Sequence, residues 1–103
     1  MKKDAADKFQ NELIASCITA QQNYGCRITR MVNQIEQYGA VRTAHNLFGK
    51  GTLSDTFEEL ARQNRLDLTL EAIATKAEYA DLFTDDEVNY CFSLLCDYGY
   101  YKL

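Results

Sequence analysis

Apolar residues recur along this chain at spacings of three and four, the period of a helix with one buried side. Over 4–24, Phe9, Leu13, Cys17 and Ala20 keep that spacing, and Ile14 and Ile18 broaden the stripe. Ile28, Met31, Val32, Ile35 and Tyr38 repeat it, followed by Val41, Ala44, Leu47 and Phe48 over 40–48. Phe57, Leu60 and Ala61 mark a fourth segment. Leu70, Ile73 and Ala74 mark a short fifth, and Val88, Cys91, Phe92 and Leu95 a last. The chain has no proline, and its glycines stand at 25, 39, 49, 51 and 99, mostly at the ends of these stretches. Proline and glycine are the strongest breakers of a helix, so the pattern predicts an all-α fold: a compact bundle of about five to six short helices, one domain over 1–103. The tyrosine-rich end, LCDYGYYKL, has some β propensity, but too little to change that prediction.

Local signals sharpen the boundaries. Gly25 and Gly39 suit helix stops, because glycine takes the left-handed cap conformation without a steric penalty. Gly49-Lys50-Gly51 is predicted as a loop. Asp55 stands three residues before Glu58, a helix-start pattern, and Asn64 is placed to end that helix. Asp67 or Thr69 can cap the segment at 70–74, with Leu66 and Leu68 packing back on it. Thr84-Asp85-Asp86-Glu87 matches a capping box, with two acids near the positive end of the helix dipole and Phe83 placed to staple against Val88. Such dense punctuation fits short helices, since isolated ones below ~12–15 residues are marginal.

Composition agrees with a folded domain. Hydrophobic residues make up 47% and charged residues 25% of 103 residues, ordinary for a globular protein. The apolar runs are only a few residues long, so no membrane span is expected. MKKDAADKFQ lacks the apolar stretch of a secretory signal, which predicts a cytoplasmic protein with reduced cysteines. The net charge of -4 is unevenly spread. Residues 1–54 carry seven cations against Asp4, Asp7, Glu12 and Glu36. Residues 55–103 carry eleven carboxylates against Arg62, Arg65, Lys76 and Lys102. That split produces a dipolar surface able to steer a charged partner.

Candidate chemistry is sparse. Cys17, Cys26, Cys91, Cys96 and the single His45 lack the close C-x₂₋₄-C pairs of a zinc site, and read as core cysteines and a helix-edge histidine. No catalytic residue, metal ligand or cofactor is assigned, because no nucleophile–base pair or phosphate loop emerges; GKGT at 49–52 lacks the leading glycine and spacing of such a loop. Arg27, Arg30 and Arg42 are candidate nucleic-acid contacts, and helices at 28–38 and 40–48 joined at Gly39 have the outline of a helix-turn-helix. Against it stands the acidic balance, with a pI near 4.9, where a DNA reader usually shows a basic footprint. Seven tyrosines are present, and Tyr98, Tyr100 and Tyr101 crowd the end of the chain. Tyrosine covers core edges, and it is also enriched at binding hot spots.

The segments IEQYGAVRTAHNLF, FEELARQNRLDLTLEAIATKAEYADLFTDDEV and LLCDYGYY resemble a small helical module found in proteins of bacterial mobile elements and phages, alone or appended to DNA-modification and restriction-type proteins. The resemblance covers about 33–101 and leaves out the first helix, at 1–24. It brings no catalytic motif. What it implies is a setting, the conflict between mobile DNA and host defence, in which small acidic proteins often inhibit host nucleases, anti-CRISPR proteins among them. On that reading the domain is non-enzymatic and needs no cofactor. It meets a protein partner, a CRISPR effector or other defence nuclease, through an acidic surface of Glu58, Glu59, Asp81, Asp85, Asp86 and Glu87, with Tyr98, Tyr100 and Tyr101 as hot spots. The alternatives are a small DNA-binding transcriptional regulator using Arg27, Arg30 and Arg42, and an accessory domain of a DNA-modification enzyme.

Overall fold

In the computed structural model, which describes residues 2–101 with side chains from Asp4 onward, all regular structure is helical. Met1, Lys102, Leu103 and the side chains of Lys2 and Lys3, counted above, lie outside that description. Six α-helices follow in order: α1 Lys2–Tyr24, α2 Thr29–Tyr38, α3 Ala40–Lys50, α4 Phe57–Arg62, α5 Leu70–Ala74 and α6 Asp85–Asp97. Two 3-10 segments, Leu66–Leu68 and Ala77–Leu82, flank α5. The all-α bundle predicted from periodicity is what forms; the two 3-10 segments have no counterpart in that prediction.

The first helix is long because nothing interrupts it: 23 residues run without glycine or proline. It spans about 34 Å at ~1.5 Å per residue. Phe9, Leu13, Cys17 and Ala20 line its buried side, and α3, α5 and both 3-10 segments pack on it. Ile18, placed beside that stripe by spacing, is instead exposed. Phe9 is the hub of the core. Its ring meets Tyr79 edge-on at 5.2 Å and Phe83 at 5.3 Å. A smaller cluster of Phe57, Leu66, Ala72 and Leu95 joins α4, α5 and α6.

The α2–α3 corner turns on one residue. Gly39 has φ +85 and ψ 155, a conformation open to glycine and costly for any other residue. Its N–H closes α2 onto the Ile35 carbonyl at 2.8 Å, and its own carbonyl accepts from Thr43 at 3.1 Å to start α3. Gln10 of α1 accepts a hydrogen bond from the Ala40 N–H at 3.0 Å, which ties the corner to the first helix.

Two predicted boundaries are displaced. Helix α3 continues through Gly49 and Lys50, and the stop falls on Gly51, whose left-handed backbone lets its N–H reach Phe48 while Thr52 reaches Leu47 at 3.0 Å. Asp55 does not cap α4; the N-cap is Thr56, without a side-chain bond, and Asp55 lies 3.9 Å from Arg30. Elsewhere the signals act as their chemistry dictates. Asn64 takes positive φ beyond α4, and the Arg65 N–H bonds back to Leu60 at 2.8 Å. Thr69, not Asp67, caps α5, accepting from the Ala72 N–H at 3.1 Å. Both bonds of the Thr84–Glu87 capping box are present.

Candidate functional site

The predicted contact residues distribute along α6 and at its two ends. Asp85 and Asp86 open the helix, exposed, where the N-terminal dipole favours negative charge. From there a solvent-facing stripe runs through Asn89, Phe92 and Ser93 to Asp97, while Cys91 and Leu95 face the core. Tyr98 and Tyr100 continue it past the helix end, where Gly99 has φ +80 and the Tyr100 N–H bonds back to Leu95 at 2.9 Å. The face is about 20 Å long, thirteen residues at ~1.5 Å each.

Its aromatic end is tightly organised. Phe92, read from its spacing as a core residue, is 38% exposed, Tyr98 46% and Tyr100 39%. Phe92 stands 5.2 Å from Tyr101, and Tyr101 stands 4.8 Å from Tyr100. The Tyr101 hydroxyl is anchored on Thr75 at 2.9 Å. Tyr98 meets the buried Phe57 edge-on at 4.9 Å. These rings are held in place by neighbours yet remain open to solvent, an arrangement that lowers the entropy lost when a partner covers them. Asp85, Asp86 and Asp97 have no ion-pair partner among the described residues, so the face carries negative charge at both ends; Asp81, also without one, lies on the 3-10 segment at 77–82 rather than on α6.

The remaining acids do not join that surface as one patch. Glu58 and Glu59 stand on α4, at the Tyr98 end of α6 through the Phe57 contact, roughly 20 Å of helix away from Asp85. Glu59 accepts hydrogen bonds from Arg62 at 2.9 Å and Gln63 at 3.0 Å, which hold its carboxyl below the usual range. Glu87 is committed to the fold. It accepts from the Thr84 N–H at 2.9 Å, and its other oxygen lies 2.5 Å from His45 Nδ1. Burial pushes the Glu87 carboxyl up, but the His45 and Thr84 bonds outweigh it and leave it below its ordinary value.

The three arginines lie around α2 and α3. Arg30 lines a cleft of about 260 Å³ between these helices, together with Gln34, Tyr38, Thr43, Asn46, Leu47, Lys50 and Thr52. Arg42 sits over the Tyr38 ring, 5.6 Å from its centre. Arg27 borders a second, adjoining cleft that shares Arg30. The His45 ring is held by Glu87 and tilted against Phe83 at 5.3 Å. Cys17, Cys26 and Cys91 are buried. Burial pushes the Cys17 thiol up to about 11 and the Cys91 thiol to about 12, so both are unreactive near neutral pH. Among the described residues no group of three or more His, Cys, Asp or Glu side chains could hold a metal ion. Nor is any helix among them long and apolar enough to cross a membrane.

Three features escaped the sequence reading. Phe92 and Asp97 belong to the open face of α6, a placement recoverable from the polar run Asp86, Asn89, Ser93, Asp97 at spacings of three and four. Lys50, Gln34 and Asn46 share a cleft that only the α2–α3 corner creates. Glu71 is fully buried. Its carboxylate accepts from the Ser54 N–H at 2.8 Å and the Ser54 hydroxyl at 2.6 Å, clipping the loop after α3 to α5. No family model, curated protein or solved structure matches the chain.

Proposed function

We propose that this domain is a non-enzymatic protein-binding module of a mobile element or phage, and that it inhibits a host defence nuclease by laying the outer face of α6 on a basic surface. The observation that carries the reading is the aromatic-ended stripe from Asp85 to Tyr100, acidic at both ends of the helix, with Phe92, Tyr98 and Tyr100 each more than a third exposed. Exposed aromatic anchors on a face whose carboxylates have no ion-pair partner among the described residues suit a partner rich in arginine and lysine, such as a nucleic-acid channel, through hot-spot burial and charge complementarity. The mobile-element setting rests on the sequence resemblance. Glu58 is a rim contact in this reading, while Glu59 and Glu87 act mainly within the fold.

The test is capture and inhibition together. Tagged protein is incubated with a nuclease-treated lysate of a CRISPR-competent bacterial host, and recovered effectors are assayed for target cleavage with and without it. Wild type should recover a nuclease in stoichiometric amount and block its cleavage. Asp85→Lys with Asp86→Lys should abolish both, and Phe92→Ala should weaken inhibition roughly thirtyfold, the cost of a hot spot of ~2 kcal/mol. Recovery of no nuclease, or inhibition unchanged in the double variant, overturns the assignment.

A further inference from the structure

The groove between α2 and α3 suits a different ligand from the face on α6. No carboxylate lines its cleft, which presents Arg30, Gln34, Tyr38, Asn46, Lys50 and Thr52. Residues 27–50 carry four cations against one carboxylate, Glu36, in a chain whose net charge is -4. The positive charge is thus concentrated where the molecule is concave. Tyr38, read from its spacing as a buried residue of α2, is instead 45% exposed, and the Arg42 guanidinium takes one face of its ring. The adjoining cleft carries the cations onward past Arg30 to Arg27, with Asp55 the one carboxylate on its wall. Single-stranded nucleic acid is bound by this combination: cations that follow the backbone, and an open ring on which a base stacks without regard to its identity. Amide side chains such as Gln34 and Asn46 can meet the base edges. A duplex fits poorly, because the element that reads it, a helix or a β-ribbon, must project into a groove, whereas these residues line a recess and His45 is turned away to Glu87.

We infer that the α2–α3 groove binds single-stranded nucleic acid, with a base on Tyr38 and phosphates on Arg30, Lys50 and Arg42. This goes beyond the protein-binding reading and uses none of its residues. On α3, Thr43, Leu47 and Lys50 leave the helix roughly opposite His45 and Phe48, at ~100° per residue, so the groove and the α6 contact lie on different sides of that helix. Asp55, 3.9 Å from Arg30, is the carboxylate placed to oppose binding.

The test is fluorescence anisotropy of a labelled oligothymidylate with the full chain over a salt series, with thymidine monophosphate and a duplex of the same length as competitors. Binding should weaken with salt at a log–log slope of about -2, from three phosphate contacts at ~0.7 each. Arg30→Ala with Lys50→Ala should reduce that slope by about 1.4. Tyr38→Ala should weaken binding at least roughly fivefold while Tyr38→Phe keeps it, since stacking needs the ring and not the hydroxyl. Asp55→Asn should tighten binding, and Asp85→Lys with Asp86→Lys should leave Tyr38 dependence intact. Competition by the monophosphate as effective as by the unlabelled strand would reassign the groove to a free nucleotide. A duplex binding as tightly as the strand, indifference to the Arg30–Lys50 or Tyr38→Ala changes, or no binding at low salt overturns the inference.

Discussion

Up to Lys50 the fold consists of three helices, of 23, 10 and 11 residues, that end on glycines at 25, 39 and 51 and are held mainly by their apolar sides, with Gln10 bonding the α2–α3 corner. From Ser54 to Asp97 it consists of helices of 6, 5 and 13 residues joined by 3-10 turns, and polar side chains hold nearly every junction. Ser54 is bound by Glu71, Thr69 caps α5, Thr75 meets Tyr101, and Thr84 and Glu87 cap each other. Arg65 reaches both Asp67 and the Tyr24 hydroxyl of α1. For α4 and α5 the difference follows from length. A helix of five or six residues leaves most of its backbone groups unpaired by its own turns, and apolar burial is non-directional, so it cannot set the angle of a short segment as a hydrogen bond does. The second region is therefore the one whose geometry depends on individual polar atoms.

The largest effect should come from the first region. Phe9→Ala removes the ring that Tyr79 and Phe83 pack against, and should cost about 3–5 kcal/mol, the range for a buried aromatic truncated in a core. Because those two partners belong to the second region, both regions should unfold in one transition. Denaturant melts followed by far-ultraviolet circular dichroism and by tyrosine fluorescence check this. Separate midpoints would show that the two regions are independent and that the contrast is one of subdomains.

Next comes Glu71, the deepest of the polar locks. Glu71→Ala orphans both Ser54 donors and should cost about 1–3 kcal/mol. The lock also has a sign in pH. Burial, the dominant influence, raises the Glu71 carboxyl above 4.5 against the two Ser54 bonds. A group raised in the folded state contributes stability that is fully present below its unfolded pKa and is lost as pH rises through the folded one. A protonated Glu71 can keep both links, one oxygen accepting from the Ser54 N–H and its own O–H donating to the hydroxyl. The stability gap between wild type and Glu71→Gln should therefore be widest below about pH 4.5 and narrow as pH rises. Asp67, lowered chiefly by its Arg65 bonds, has the opposite slope: its contribution is present at neutral pH and is lost on acidification. Melts of the two proteins across acid and neutral pH read the difference directly, and a gap that widens with pH would contradict the assignment.

How much of this was legible in the sequence follows the same division. The three helices of the first region could be read because periodicity and glycine both report local backbone preference; Gly25 and Gly39 stop their helices as expected, and the miss at Gly49 was a choice between two glycines two residues apart. In the second region the caps at Thr69 and Thr84 were legible, since each acts on N–H groups within three residues. The Glu71–Ser54 bond was not, because its partners are seventeen residues apart and a glutamate among leucines reads as an exposed position. Phe92 was misplaced for a related reason: it sits at the edge of the apolar stripe, and only Tyr101 folding back onto it shows which side it takes. The α2–α3 cleft was invisible, since it depends on the angle that Gly39 imposes. The negative face of α6 was half legible, its acids plain in the sequence and their separation from Glu58 and Glu59 not.

The smallest effect tests how local the second region's control is. Thr84→Ala removes the hydroxyl that accepts from the Glu87 N–H at 3.2 Å and should cost about 1 kcal/mol, within the range for a lost N-cap. Thr84→Ser should recover most of it, because the hydroxyl alone makes the bond. The loss should be confined to the start of α6, so amide exchange should quicken at Asp86, Glu87 and Val88 and stay slow at Cys91 and Leu95, which are buried against the core. If exchange instead quickens along the whole helix, the cap governs α6 as a unit. The His45–Glu87 contact would then serve α3 and α6 together, and the polar lock at this end would extend its control back into the first region.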